Sequence, residues 1–152
     1  MMTLRIVICI AVCFFFSCKP QGPLTPRDAF VGLKDAIAKG DAAAFTRLLS
    51  QGSVKKIKTA SALFAEMDDR QIKAVARKYD ISADTLKKLC VEDFAKLYFK
   101  IGAHKNAMSE ALNREVAGIY RTGNTATVRV DNGMELSFTR EGPYWKFELG
   151  DL

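Results

Sequence analysis

The spacing of apolar residues changes once along this chain of 152 residues, and the change separates a helical part from a strand part. Before about residue 105, apolar side chains recur every three or four positions, as on the buried face of an amphipathic helix. Thr25, Asp41, Asp68 and Ser82 precede such segments and are residue types that cap helices, while a further helix is expected from Val54. The spacing therefore predicts several helices in succession before any strand.

The most regular helical pattern spans residues 83–101. Seven apolar side chains fall on one face of this segment: Leu86, Leu89, Cys90, Phe94, Leu97, Tyr98 and Ile101. Asp93 could cap a new helix within it, so the pattern leaves open whether the segment is one helix or two. Because Cys90 shares the apolar face, it is expected to be a buried and unreactive thiol.

After residue 105 apolar and polar residues alternate, which is typical of strands with one buried face. Two adjacent strands are predicted around residues 125–130 and 134–138. A three-residue loop at 131–133 would set Val128 opposite Leu136 and Arg129 opposite Glu135, whereas a two-residue turn would set Val128 opposite Ser137. The longer loop is preferred because every pair then matches in chemistry.

Two further strands extend this pair into a meander. A connection over residues 140–143 would set Phe138 against Trp145 and Leu136 against Phe147, which continues the apolar face. A strand near residues 115–121 would join through Gly123-Asn124. We therefore predict an α+β fold in which N-terminal helices pack on one face of a C-terminal, antiparallel, four-stranded meander.

The first residues predict where the protein is located. Arg5 is followed by an unbroken apolar run over residues 6–16, then by Ser17 and Cys18. This order resembles a bacterial lipoprotein signal, although Phe15 and Phe16 depart from its usual residues. The run is well short of the roughly 20 apolar residues that span a bilayer, which argues against an uncleaved membrane helix.

The resemblance implies a processed and lipidated protein. Residues 1–17 would be a signal peptide, and Cys18 would carry a diacylglycerol and become the new N-terminus. Residues 18–24 would form a lipidated tether, since Pro20, Gly22 and Pro23 do not favour regular structure. Residues 25–152 would form a single α+β domain. The expected location is the bacterial cell envelope, anchored to the membrane on its periplasmic or surface side.

Charge and chemistry narrow the functional classes. The chain carries a net charge of +6, and residues 53–105 hold twelve Lys and Arg against seven acidic residues. A basic surface can bind nucleic acid, bind anionic headgroups or serve solubility alone. Export argues against nucleic acid as a partner, an anchored protein already lies beside anionic lipid, and most of these cations are interpreted as a solvated face. His104 is the only histidine and has no Cys or His near it at ligand spacing, so neither a metal nor another cofactor is expected. The chain contains no G-x-S-x-G, P-loop or H-E-x-x-H motif, and no catalytic residue is assigned.

Four short strings resemble the nuclear-transport-factor-like, or cystatin-like, superfamily: TPRDAF from Thr25, KGD from Lys39, NTATVRV from Asn124 and YWKFEL from Tyr144. The resemblance implies helices that cover the concave face of a curved sheet. Some members are ketosteroid-isomerase-like enzymes with an Asp base in the space between the helices and the concave face of the sheet. No residue of such a site carries over to this sequence, and residues 53–105 contain more helix than a compact member.

Two functions remain, and the sequence favours the first. One is a membrane-anchored, non-catalytic domain that binds a protein or a small hydrophobic ligand. The alternative is a small-molecule enzyme or carrier with a pocket between the helices and the concave face. Six residues would form either the core or the pocket lining: Phe94, Tyr98, Leu136, Phe138, Trp145 and Phe147. A filled interior would favour the first function, and a roomy cavity with inward polar groups the second.

Overall fold

A computed structural model describes residues 22–100 and 110–150 of the chain. Cys18, the predicted signal peptide and His104 lie outside these ranges. The helices are α1 (Pro26–Lys39), α2 (Ala42–Leu48), α3 (Gln51–Glu66), α4 (Asp69–Tyr79), α5 (Ala83–Lys87) and α6 (Val91–Lys100). The strands are β1 (Val116–Thr122), β2 (Thr125–Val130), β3 (Glu135–Glu141) and β4 (Tyr144–Glu148).

Side chains at the predicted capping positions begin most of the helices. The Thr25 hydroxyl accepts a hydrogen bond from the Asp28 N–H at 3.1 Å, and the Asp28 carboxylate accepts one from the Thr25 N–H at 3.1 Å. This reciprocal pair satisfies two backbone donors that the first turn of α1 would otherwise leave free. Asp68 forms the same reciprocal pair with Gln71 at the start of α4. Asp41 and Ser82 cap α2 and α5 by accepting one backbone N–H each, so all three caps lie where the sequence predicts them.

The start of α3 differs from the prediction. The helix begins at Gln51 and not near Val54, because the Ser50 hydroxyl accepts a hydrogen bond from the Ser53 N–H at 2.9 Å. Ser50 is thus an N-cap, and Gly52 lies in the first helical turn.

The apolar pattern over residues 83–101 left open whether this segment is one helix or two. Its described part contains two helices, α5 and α6. Cys90 lies just before α6, where its sulfur accepts a hydrogen bond from the Asp93 N–H at 3.4 Å and its thiol lies 3.0 Å from Asp93 Oδ2. The prediction of a buried thiol is wrong, since Cys90 is exposed. A break between the two helices takes this residue off the apolar face that a continuous helix would have given it.

The sheet has the predicted order β1-β2-β3-β4, and all of its neighbours are antiparallel. Val128 faces Leu136, and Arg129 faces Glu135 with 2.6 Å between Nη2 and Oε1. This ion pair raises the pKa of the Arg129 guanidinium, mainly through its hydrogen bond to Glu135. The predicted three-residue loop and the register of β2 on β3 are confirmed.

The predicted register of β3 on β4 is wrong by two residues. Phe138 faces Phe147, and Arg140 faces Trp145. The connection is a tight turn of only two residues, in which Gly142 has a φ of +59° and Pro143 follows with its fixed negative φ. Because side chains alternate with a period of two, this shift leaves Trp145 on the predicted face.

Helices cover one face of the sheet, as predicted. α1 packs on β2 and β4, α2 and α3 pack on β4, and α6 packs on α2 and α3. α4 and α5 pack on each other, and with the end of α3 they surround a second, smaller cluster of Ile72, Ala76 and Leu86. Among the described helices, none has both the length and the apolar character needed to cross a membrane.

Residues from the N-terminal half cover the outer edge of β4. The Trp145 N–H donates to the Pro23 carbonyl at 2.9 Å, and the Phe147 carbonyl accepts from the Ser50 N–H at 2.9 Å. The Leu149 N–H donates to Ser53 Oγ at 2.8 Å. These bonds occupy backbone groups that an edge strand would otherwise offer to another chain.

Candidate functional site

The space between the helices and the sheet is the candidate site, and the six predicted residues converge on it. Tyr98, the most exposed of the five buried ones, has only 8% of its surface accessible. Leu136, Phe138, Trp145 and Phe147 are more deeply buried. Phe94 is partly buried and packs beside Tyr98, with 6.0 Å between ring centroids.

Phe45 on α2 fills the centre of this space. Its side chain is fully buried, and its ring centroid lies 5.7 Å from that of Tyr98, 5.3 Å from Phe99 and 6.4 Å from Phe147. These distances are those of contacting aromatic pairs. The six predicted residues therefore belong to one hydrophobic core that joins α2, α6 and the sheet.

Tyr98 is the ionisable side chain among these aromatic neighbours. Burial raises the pKa of its phenol above the ordinary value of about 10, because the charged form loses its hydration. A phenol with a raised pKa stays protonated at neutral pH. Tyr98 therefore contributes a packed ring rather than a general base.

A partly buried polar network lies where α3 starts beside β4. Ser50 Oγ lies 2.5 Å from Glu148 Oε2 and 2.8 Å from Ser53 Oγ. Lys56 Nζ donates to the Leu149 carbonyl at 2.9 Å and lies 3.9 Å from Glu148 Oε1. Neither serine has accessible surface, and both bond to backbone groups, so the network joins helix to strand and does not offer a nucleophile.

Ser53→Ala should lower the free energy of unfolding by about 1–3 kcal/mol, because the buried Leu149 N–H would lose its acceptor. Urea unfolding would measure the loss as a lower midpoint with an unchanged slope. Thr59→Ala is the matched control, since Thr59 is exposed on the same helix and should change stability by less than about 0.5 kcal/mol. Equal midpoints for the two variants would show that the Ser53 hydroxyl is not an essential acceptor.

A shallow depression of about 350 Å³ opens at the surface beside the core. Its lining comes from α3, α6 and two strands: Lys56, Tyr98, Glu135, Leu136, Ser137, Phe147, Glu148, Leu149 and Gly150. Its two carboxylates are already engaged, Glu135 by Arg129 and Glu148 by Ser50 and Lys56. The depression therefore combines apolar side chains with charged groups that are already paired.

The basic side of α3 is solvated, as expected. Lys55 and Lys58 are exposed, whereas Ile57 is fully buried in the core. The apolar residues at the end of the helix, Phe64 and Met67, pack on the smaller cluster. This helix thus uses most of its apolar face within the protein, although Leu63 is 57% exposed.

Comparisons with models of protein families, with curated proteins and with solved structures found no match. Among the described residues, no three His, Cys, Asp or Glu side chains lie close enough to hold a metal ion. The order of helices and meander is consistent with a cystatin-like or nuclear-transport-factor-like arrangement.

Proposed function

We propose that this chain is a bacterial lipoprotein, anchored in the cell envelope through a diacylglycerol on Cys18. The proposal is supported by the order of Arg5, an apolar run that is too short to span a bilayer, Ser17 and Cys18. The domain that follows would be held at the membrane surface, on the periplasmic or outer side. Its partner in this location is the membrane itself.

The domain is proposed to act by binding, without catalysis, as a member of the cystatin-like superfamily. The observation that supports this role is the filled space between the helices and the sheet, where Phe45, Tyr98, Phe138 and Phe147 pack together. Because aromatic side chains of the protein itself fill this space, a ligand or a partner protein would have to bind at the outer surface. A protein or a small hydrophobic ligand would therefore bind outside the core.

The alternative is a small-molecule enzyme or carrier. The depression beside Tyr98 favours this alternative, because its lining combines apolar side chains with charged groups. Its carboxylates are held by Arg129, Ser50 and Lys56, so a ligand would have to displace these partners. This requirement makes the alternative the weaker of the two proposals.

Replacement of Cys18 tests the anchor. In a bacterial host, the wild-type chain should incorporate labelled palmitate and stay with the membrane through a high-salt wash. Two acyl chains bury many methylene groups at about 0.8 kcal/mol each, which makes attachment insensitive to salt. Cys18→Ser should lose the label, and the protein should be released or stall before processing.

Cys13→Ser is the matched control, because it removes a leader cysteine that the proposal assigns no lipid. This variant should be labelled and retained like the wild type. Equal palmitate incorporation by Cys18→Ser and the wild type would rule out Cys18 as the anchor.

A further inference from the structure

The chain is fixed to the domain only a few residues after the proposed anchor. The Pro23 carbonyl accepts the Trp145 N–H at 2.9 Å, which ties this residue to the start of β4. Gly22 lies against the Tyr144 ring, so closely that a methyl group at Gly22 would come within 2.7 Å of Tyr144 Cδ1. Gly22 and Pro23 are therefore held against the domain, at the end of the sheet where β4 starts.

Three residues, 19–21, separate Cys18 from Gly22. Four steps between successive Cα atoms reach at most about 14 Å, at roughly 3.3–3.6 Å per residue. A domain of about 130 residues has a radius of gyration of about 14 Å. Because the connection is no longer than the radius of the domain, the domain lies close to the bilayer, and one of the surfaces next to Gly22 has to face the lipid.

The end of the sheet next to Gly22 carries both two-residue turns. In an antiparallel meander, the turn at residues 123–124 and the turn at residues 142–143 lie at the same end, which we name the hairpin end. Leu24 lies beside it and is 53% exposed. An exposed leucine next to an anchored residue is suited to the boundary between headgroups and acyl chains.

Charge distinguishes the hairpin end from the opposite end of the sheet. Arg27, Arg121 and Arg140 lie at or beside the hairpin end, and the exposed Arg121 guanidinium lies 5.5 Å from the centroid of the Trp145 ring. The described carboxylates at this end, Asp28 and Glu141, both accept backbone N–H groups. Among the described residues, acidic side chains outnumber basic ones at the opposite end: Glu110, Glu115, Asp131, Glu135 and Glu148 against Lys56, Arg114 and Arg129. An anionic membrane surface attracts the first end and repels the second.

We propose that the hairpin end is a docking surface for anionic lipid headgroups, so that the sheet stands on the membrane with its acidic end in the solvent. This inference rests on the proposed lipid anchor at Cys18. The short connection brings the hairpin end to the bilayer, Leu24 enters the interface, and Arg121 and Arg140 bind lipid phosphates. Surfaces at the acidic end then remain available to a partner in the solvent.

Fluorescent labels at the two ends test this orientation. The full chain, processed in a bacterial host, would be reconstituted in vesicles of phosphatidylcholine and phosphatidylglycerol. Cys90→Ser removes the exposed thiol, after which Asn124→Cys labels the hairpin end and Gly150→Cys labels the opposite end. Asn124 is exposed, and a side chain at Gly150 would meet open space, so both positions tolerate a label.

The label at position 124 should be quenched by spin-labelled headgroups and shielded from iodide, and the label at position 150 should show the reverse. Arg121→Glu with Arg140→Glu should lower the ratio of shielded to unshielded label at position 124 by at least about fivefold for each arginine replaced, at about 1 kcal/mol per cation. Lys55→Glu with Lys58→Glu makes the same change in net charge on the exposed side of α3, and it should leave both labels unchanged. Thermal unfolding followed by circular dichroism would verify that all variants are folded.

The intact mass of the reconstituted protein separates failure of the anchor from failure of the orientation. A mass without diacylglycerol would refute the proposed anchor, and the orientation would fall with it. A lipidated protein whose two labels respond alike would overturn the orientation alone, as would an effect of the α3 variant in place of the arginine variant. Shielding of position 124 from iodide without quenching by spin-labelled headgroups would point to a second copy of the chain, which also contradicts the proposal.

Discussion

Trp145→Ala should lower the free energy of unfolding by about 3–5 kcal/mol, a large part of the roughly 5–15 kcal/mol that stabilises a domain. Trp145 is 4% exposed on the inner face of β4, where it belongs to the main core. Its replacement would leave a cavity that the sheet and α1 could close only in part. Urea unfolding would measure the loss.

Lys146→Ala is the control in the adjacent position. Lys146 lies on the opposite face and donates to the Arg47 carbonyl at 2.6 Å, so its loss should cost only about 1 kcal/mol. Trp145 is also the only tryptophan, so the emission of the native protein reports its surroundings directly. Blue-shifted emission that iodide does not quench is expected. Red-shifted, readily quenched emission would place Trp145 in an open cleft and favour the small-molecule alternative.

Local features of the fold could be predicted from the sequence. A capping side chain bonds to a backbone group three residues away, so Thr25 and Asp41 mark their helices without help from distant residues. The pairing of β2 with β3 could also be predicted, because opposite charges at Arg129 and Glu135 and matching apolar pairs agree on one register.

The register of β3 on β4 could not be predicted from the same argument. A shift of two residues keeps every side chain on its face, so the apolar pattern fits both registers equally well. The turn chemistry of Gly142 decides between them. The break before α6 could not be predicted for a similar reason. Cys90 is compatible both with the apolar face of one continuous helix and with a position before α6, where its sulfur accepts the Asp93 N–H.

The sequence predicts which residues belong to the candidate site but not how they are arranged in space. Alternation placed Phe138, Trp145 and Phe147 on one inner face, and the structure finds them buried there. The position of Phe45 among them depends on how α2 crosses the sheet, which no local pattern encodes. The bonds of Ser53 to residues near the end of β4 join positions more than 90 residues apart, and a serine in a helical segment gives no sign of such a partner.

Phe45→Ala should be as destabilising as the loss of Trp145, at about 3–5 kcal/mol. Phe45 has no accessible surface, and its ring contacts Tyr98 and Phe99 on α6 as well as Phe147 on β4. Its removal would therefore weaken the packing of one helix on another and of both on the sheet. Urea unfolding of the variant would measure the loss as a lower midpoint.

Two other substitutions make this last prediction specific. Phe45→Leu keeps most of the apolar volume and should cost much less than the alanine variant. Leu63→Ala removes an apolar side chain that is 57% exposed, so it should change stability by less than about 0.5 kcal/mol. If Phe45→Ala were no more destabilising than Leu63→Ala, α2 would not be packed between α6 and the sheet, and the space that we describe as a filled core would be open to a ligand.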